Sequence, residues 1–300
     1  MAILNGELTL EQTKLLPSES DIEFYEQHGW YKSAFILPEE VINLALEGAE
    51  KFYRGERDAI LKTKDGFVDW TPHNSQGLRN NEFVSLQKHE LRQLALNPVL
   101  GAIAAKLTRS SEIRLLDDQL ISKPPKTNTP IGWHTDRSYW ATCSSDKLLT
   151  AWIPLLDCDE SLGPLVVIDG SHHWGGLEHM RLFNDSNLEK LEAEFIQQGK
   201  EVVKVPMVLK KGQVSFHNCW TVHGSYANSS NQTRTAMSIH YQDRENHYRP
   251  YWDLQGKEVH MFDEQLCRKL PNGDPDFSDP LVFPVVWSAS SKEQSFCSSI

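Results

Sequence analysis

Ile131-Gly132-Trp133-His134-Thr135-Asp136 is the stretch on which the reading of this chain turns. It sets an imidazole and a carboxylate one residue apart. If the segment is a strand, residues i and i+2 point to the same face. A third metal ligand must then arrive from another element, and His223, in Val222-His223-Gly224-Ser225, is the candidate. Two imidazoles and one carboxylate on one face of a metal form the facial triad of non-haem Fe(II) oxygenases, which leaves positions open for a co-substrate and oxygen. Arg234 stands far enough beyond His223 to lie on the next antiparallel strand and face the same cavity. A guanidinium there can grip a carboxylate through two parallel hydrogen bonds.

Around this stretch the chain has the texture of a β-rich core. From residue 113 onward, short apolar runs alternate with turn signals such as Pro-Lys-Thr-Asn-Thr-Pro and Lys-Lys-Gly. Strands are expected at 114–122, 132–139, 148–156, 164–168, 202–209, 213–217, 221–226 and 233–242. Eight short strands suggest a jelly-roll or barrel, a double-stranded β-helix. A helix at Asn187–Gln198 interrupts them. Before the core, helical signals mark 19–29, 38–53, 89–95 and 97–107. Pro38 opens the second, and Asn97-Pro98 caps the last. Residues 54–88 lack a period and read as a long loop, in which Asp69-Trp70 is either a lid element or plain surface. A further helix is expected near 257–269, and the Ser-rich end at 288–299 reads as a frayed tail. The predicted architecture is mainly β with flanking helices: one domain over 1–300, with helical support to 112, a jelly-roll at 113–242 and an extension to 300.

Composition narrows the class. The 300 residues carry 39% hydrophobic and 24% charged side chains, ordinary for a globular protein. A formal charge of −11 argues against nucleic acid and against an anionic membrane surface. No apolar run approaches the ~20 residues of a membrane span. The start, Met-Ala-Ile-Leu-Asn-Gly-Glu-Leu, lacks the basic and apolar regions of a signal peptide. Cys143, Cys158, Cys219, Cys267 and Cys297 form no Cys-x-x-Cys pair, which argues against zinc–thiolate sites and a disulfide framework and suits a reducing cytosol. No obligatory protein partner is evident.

The ordered motifs resemble the phytanoyl-CoA dioxygenase family of Fe(II)/2-oxoglutarate oxygenases. The resemblance rests on Trp133-His134-Thr135-Asp136-Arg137-Ser138-Tyr139-Trp140, on Ala151-Trp152-Ile153-Pro154-Leu155, and on Gly163-Pro164 through His172. It continues through Gly212 to His217, Val222 to Asn228, and Arg234 to Tyr241. It implies a jelly-roll fold with His134, Asp136 and His223 as iron ligands. It further implies Arg234 as partner of the distal carboxylate of 2-oxoglutarate, and Ser225 and Trp152 in the same pocket. From the region before the core, Arg79 is the candidate for a further basic contact. The implied reaction consumes 2-oxoglutarate and O2, releases succinate and CO2, and hydroxylates an unactivated C–H bond of a small molecule. Asp136 speaks against a halogenase, which replaces this carboxylate with a small residue.

Other readings are weighed against these. His217 and His240 are rival ligands, and Arg234 has the alternative of a structural ion pair. His172 and His173 suit a structural role or the pocket rim, and the acidic run Asp157–Glu160 a solvated loop. A non-catalytic jelly-roll binder has no need of the triad together with Arg234. A metal enzyme that does not use 2-oxoglutarate leaves Arg234 and Ser225 unexplained. Fatty acyl-CoA, the founding substrate class of the family, is disfavoured by an acidic chain with no Lys/Arg cluster for the phosphates of coenzyme A. A polar natural product, amino acid or alkaloid is favoured, and overall likeness points to tailoring of a cylindrospermopsin-type toxin. Desaturation, epoxidation and epimerisation by the same oxidant stay open.

Overall fold

The structure is a computed structural model that describes residues 8–61, 77–253 and 255–289. Asp69-Trp70, Cys297 and most of the Ser-rich tail lie outside the described residues. The helices are α1 (Leu10–Thr13), α2 (Glu19–His28), α3 (Glu39–Tyr53), α4 (His89–Ala95), α5 (Pro98–Leu107) and α6 (Leu188–Gln197). The strands are β1 (Trp30–Lys32), β2 (Arg79–Glu82), β3 (Glu112–Lys123), β4 (Ile131–His134), β5 (Leu149–Pro154), β6 (Leu165–Ile168) and β7 (Lys204–Pro206). They continue with β8 (Ser215–Asn218), β9 (His223–Ser225), β10 (Arg234–Asp243), β11 (Tyr251–Trp252), β12 (Glu258–Val259) and β13 (Val285–Ser288).

Two antiparallel sheets form the jelly-roll. The larger runs β1-β8-β5-β10-β3-β13, with β2 also paired to β3, and the smaller runs β4-β9-β6-β7. Helices α2, α3, α4 and α5 cover the outer face of the larger sheet. Their apolar stripes, including Ile42, Phe52, Leu91, Leu100 and Ile103, pack against Leu149, Ala151 and Ile153 of β5 and Met237, Ile239 and Tyr241 of β10. The Tyr241 hydroxyl donates to the Ala95 carbonyl at 3.0 Å and ties the two layers together. Side chains alternate across a strand, so the residues between these point into the space between the sheets: Thr150, Trp152, Ser238 and His240. With both faces covered, all of β10 is buried.

One irregularity re-aims a strand. His240 pairs with Asp117 but Tyr241 with Leu115, so Leu116 is an extra residue in β3. Such a bulge flips the inward set. Ile113 and Leu115 face the helices, whereas Asp117, Gln119 and Ile121 face the interior.

The elements match the expected ones in most places, and the departures have local causes. The strand expected over 132–139 ends at His134, and Asp136–Ser138 form a 3-10 turn. Thr135 remains extended at φ −116° and ψ 141°, so His134 and Asp136 still flank one extended residue. Inside the expected loop 54–88 lies β2, whose sequence Arg-Asn-Asn-Glu has no apolar alternation to betray it. The helix expected near 257–269 is replaced by β12 and a short 3-10 turn, Phe262–Gln265. There Glu264 accepts from the Met261 amide at 2.9 Å as the local cap of the turn, while its tertiary bond to Thr142 at 2.8 Å overrides local helix preference.

β4 is clamped from outside by the segment before α6. The Gly132 amide donates to the Phe183 carbonyl at 2.9 Å. A Cβ on Gly132 would run into the carbonyl oxygens of Leu182 and Asp185, both backbone atoms. Gly132→Ala is therefore expected to lower stability by about 1–3 kcal/mol in chemical denaturation, the usual cost of forcing atoms into a packed site. Gly77→Ala, where a Cβ meets nothing within 4 Å, is the control and should stay within about 0.5 kcal/mol. Equal effects at both positions would show that the close approach at Gly132 carries no cost.

Candidate metal centre and its two cavities

His134 ends β4, Asp136 opens the following turn, and His223 begins β9. Antiparallel pairing sets His134 directly opposite His223. One ligand atom from each of the three residues lies within 4.8 Å of the others, the one such trio of His, Cys, Asp or Glu among the described residues. His134 Nδ1 is 2.8 Å from the Gly132 carbonyl, and His223 Nδ1 is 2.9 Å from the Thr221 carbonyl. A carbonyl only accepts, so each Nδ1 carries the proton and each Nε2 keeps a free lone pair. The two Nε2 atoms face Asp136 Oδ1, at 4.0 Å from His134 and 3.4 Å from His223.

The second carboxylate oxygen is held separately. Thr150 Oγ1 donates to Asp136 Oδ2 at 2.5 Å, and His217 Nε2 lies 3.1 Å from the same oxygen. With its hydrogen committed to Asp136, Thr150 accepts from His240 Nδ1 at 2.7 Å. His217 and His240, the rivals of His223, thus act behind the carboxylate. Metal sites depend on such outer partners to orient the ligating groups.

Electrostatics follow from burial and crowding. Burial, with the neighbouring His223, pushes His134 down to about 3. Burial would raise Asp136, but His223 and His217 hold it well below the usual carboxylate range. His223 is drawn above its ordinary value because Asp136 outweighs the effect of burial. His217 and His240 are both pushed down to about 4, chiefly by burial.

Two cavities meet at this cluster, sharing His134, Asp136, Gln119 and His240. The first leads to Arg234 and is lined by Ile121, Trp152, Leu165 and Ser225. Arg234 starts β10, the next strand in sequence after β9, but it lies in the facing sheet rather than beside β9. It is 1% exposed, and its Nε and Nη1 have no hydrogen-bond partner. Its guanidinium carbon lies 5.8 Å from the centre of the Trp152 ring. Burial lowers it to about 10. Beside it, the fully buried Lys123 sends Nζ to Ser225 Oγ at 2.7 Å and to the Ser225 carbonyl at 3.4 Å. Burial first, then Arg234, holds Lys123 well below its ordinary value. Arg234 is thus a buried cation without a carboxylate partner, and such a site demands an anion. The orphaned Arg234 donors fit the distal carboxylate of 2-oxoglutarate, and the His/His/Asp donor set fits Fe(II).

Among the residues expected here, His134, Asp136, His223, Arg234, Ser225 and Trp152 converge. Arg79 does not line either cavity. Its guanidinium lies 5.3 Å from the centre of the Tyr53 ring, and alternation along β2 turns Asn80 and Glu82 inward instead. Lys123 is the basic residue that sequence reading missed. It ends β3, whose sequence already carries Glu112, Arg114, Asp117 and Asp118, so its charge alone did not single it out. His172 serves structure, with Nε2 3.0 Å from the Glu26 carbonyl. Asp157 sits in a surface pair with Lys210 at 2.9 Å.

Comparison with known proteins agrees with the geometry. Human peroxisomal phytanoyl-CoA dioxygenase is 24% identical over 256 residues, covering 81% of this chain and 71% of that protein. Ectoine dioxygenase of Bordetella bronchiseptica is 24% identical over 270 residues, 84% of each. Among solved structures, the α-ketoglutarate-dependent carbocyclase SnoK from nogalamycin biosynthesis superposes with a TM-score of 0.67 at 24% identity, covering 90% of this chain and 96% of that one. The family model for phytanoyl-CoA dioxygenase (PhyH) matches residues 33–236. The chain therefore belongs to the phytanoyl-CoA dioxygenase family of Fe(II)/2-oxoglutarate-dependent oxygenases.

Proposed function

We propose that this chain hydroxylates a polar small molecule, with His134, Asp136 and His223 as iron ligands and Arg234 as the anchor of 2-oxoglutarate. The observation that carries the reading is the meeting of two cavities at the ligand trio, one of them ending at buried guanidinium donors without partners. Bound there, iron and 2-oxoglutarate supply oxidative decarboxylation to succinate and CO2 coupled to attack on a C–H bond.

The protein's own groups do the positioning. His134 and His223 present Nε2 because the Gly132 and Thr221 carbonyls hold their Nδ1 protons. Thr150 and His217 keep Asp136 Oδ2 occupied and leave Oδ1 to the metal. Ser225, fixed by Lys123, and Trp152 flank the path to Arg234. The second cavity takes the substrate, and its walls carry Asn80, Glu82, Asp117, Gln119 and Asp263. Walls of that kind favour a polar natural product or alkaloid over a fatty acyl chain, and tailoring of a cylindrospermopsin-type toxin is one reaction of this kind. No helix among the described residues is long and apolar enough to cross a membrane.

Anaerobic titration of the Fe(II)-loaded protein with 2-oxoglutarate is expected to give a weak visible charge-transfer band that Asp136→Ala abolishes. Arg234→Ala should raise the 2-oxoglutarate requirement by roughly tenfold or more while iron still binds, from the loss of charge-assisted hydrogen bonds. An unchanged requirement would remove Arg234 from its role. Loss of the band only when His217 or His240 is replaced, and not with Asp136→Ala, would reassign the ligands.

Proton competition supplies a second check. A proton added to His223 goes to Nε2, the atom that would bind metal. His223 is raised above its ordinary value, so below that pH protons displace the metal. His134, held near 3, stays neutral throughout. Metal affinity measured with Co(II) should therefore level off at high pH and, below the raised His223 value, fall on acidification by up to roughly tenfold per pH unit, a one-proton slope. A two-proton slope would mean that His134 also titrates in this range.

A further inference from the structure

Lys123 and Arg234 stand directly opposite each other where β3 and β10 pair. Like charges in that relation repel, and both side chains are buried. Arg234 lines the cavity that ends at its guanidinium, whereas Lys123 does not line it. Lys123 turns instead to the end of β9. Its Nζ donates to Ser225 Oγ at 2.7 Å, to the Ser225 carbonyl at 3.4 Å and to the Tyr226 carbonyl. Three N–H groups thus meet three oxygens, the full complement of an ammonium. Burial and Arg234 pull Lys123 toward the neutral amine, and these three oxygens pull it back toward the charged form.

Holding this corner of the fold together does not account for the lysine. Asn228 already does so, with Nδ2 at 3.0 Å from the Lys123 carbonyl, 3.1 Å from that of Pro124 and 2.7 Å from that of Gln232. The Lys126 amide adds a bond to the Ser230 carbonyl at 3.1 Å. The backbone between β9 and β10 is therefore pinned to the end of β3 without the Lys123 ammonium.

What the ammonium does control is the direction of one hydrogen. An ammonium has no lone pair, so Ser225 Oγ is the acceptor in their bond and its own hydrogen must point elsewhere. No acceptor among the described residues takes that hydrogen. Ser225 is buried and lines the same cavity as Arg234, whose Nε and Nη1 also lack partners. One hydroxyl and one guanidinium thus keep donors unspent on the walls of a single cavity.

We propose, resting on the assignment of 2-oxoglutarate above, that Lys123 is a positioning residue: by donating to Ser225 Oγ it commits the hydroxyl hydrogen to the cavity, where Ser225 and Arg234 hold one carboxylate together. Lys123 acts through Ser225 and does not touch the ligand. Its charge also strengthens the hydroxyl as a donor, because each hydrogen bond in a chain polarises the next. The site therefore prefers a 2-oxo acid that carries a second carboxylate over one that ends in a methyl group. The interaction is non-covalent and requires no proton or electron transfer.

Two keto acids test this on the Fe(II)-loaded full chain without oxygen: 2-oxoglutarate, and 2-oxopentanoate, in which a methyl group replaces the distal carboxylate. Calorimetric titration gives the preference as the ratio of their dissociation constants. Lys123→Met and Ser225→Ala should each cut the native preference by roughly tenfold, the worth of a hydrogen bond to a charged group. The double variant should fall no more than about twofold below either single variant, since residues that act in series are not additive. Iron affinity is expected to hold in all three, which separates positioning from general damage. Thermal melts identify a chain that fails to fold, and Lys123→Leu takes the place of Lys123→Met in that case. An unchanged preference in either folded single variant, effects that multiply in the double variant, or a parallel loss of iron overturns the proposal. Equal binding of the two keto acids by the native chain overturns the 2-oxoglutarate reading itself, and the proposal with it.

Discussion

Asp136 is a buried carboxylate, and the interior is arranged around the difficulty of keeping it there. A lone charge in such a place costs several kcal/mol unless it is paired and hydrogen-bonded. Here each oxygen has its own answer. Oδ2 takes the Thr150 hydroxyl and His217, and Oδ1 faces the two imidazole Nε2 atoms. The same division leaves one oxygen and two nitrogens converging on a common point. The features that make the carboxylate tolerable in the folded chain also fit it to hold a metal ion.

That arrangement is possible because five strands, β4, β5, β8, β9 and β10, deliver side chains to one place by alternation. Thr150 of β5 and His240 of β10 face inward because Ala151, Ile239 and Tyr241 are held outward by the helices. The helical layer therefore sets the register of the site without touching it. A one-residue slip in β10 would exchange His240 for Ile239 and put an imidazole into the helix interface. The extra residue Leu116 does locally what a slip would do globally, turning Asp117 and Gln119 inward while Ile113 and Leu115 keep their outward packing.

How far this was legible in the sequence depended on whether a residue's role was local. The helices Glu39–Tyr53, opened by Pro38, and Pro98–Leu107, capped by Asn97, and the strands with apolar alternation fall close to where pattern places them. His134, Asp136, His223 and Arg234 could be read because each sits in a motif of distinctive residues. β2 could not, since Arg-Asn-Asn-Glu resembles a loop until β3 pairs with it. The outward turn of Arg79 could not be read either, since only the pairing of β2 with β3 shows that alternation turns Asn80 and Glu82 inward. Asp263 gave no signal at all. It reaches the cavity from a turn far along the chain, where the sequence suggested a helix.

The two cavities also differ in sign, and the difference bears on how the site tells its ligands apart. On one side of the histidine–aspartate cluster lies Arg234, buried and with Nε and Nη1 unpartnered. On the other lie the half-buried Glu82 and the buried Asp117 and Asp263, without an ion pair among the described residues. Both sides sit in a medium of low effective dielectric, where such charges act more strongly than in water. A dicarboxylate such as 2-oxoglutarate is drawn to the first and repelled by the second. The co-substrate is thus steered to the arginine side before any close fit is tested. Charged groups are costly to bury without a counter-ion, so the protein gives up stability on both sides.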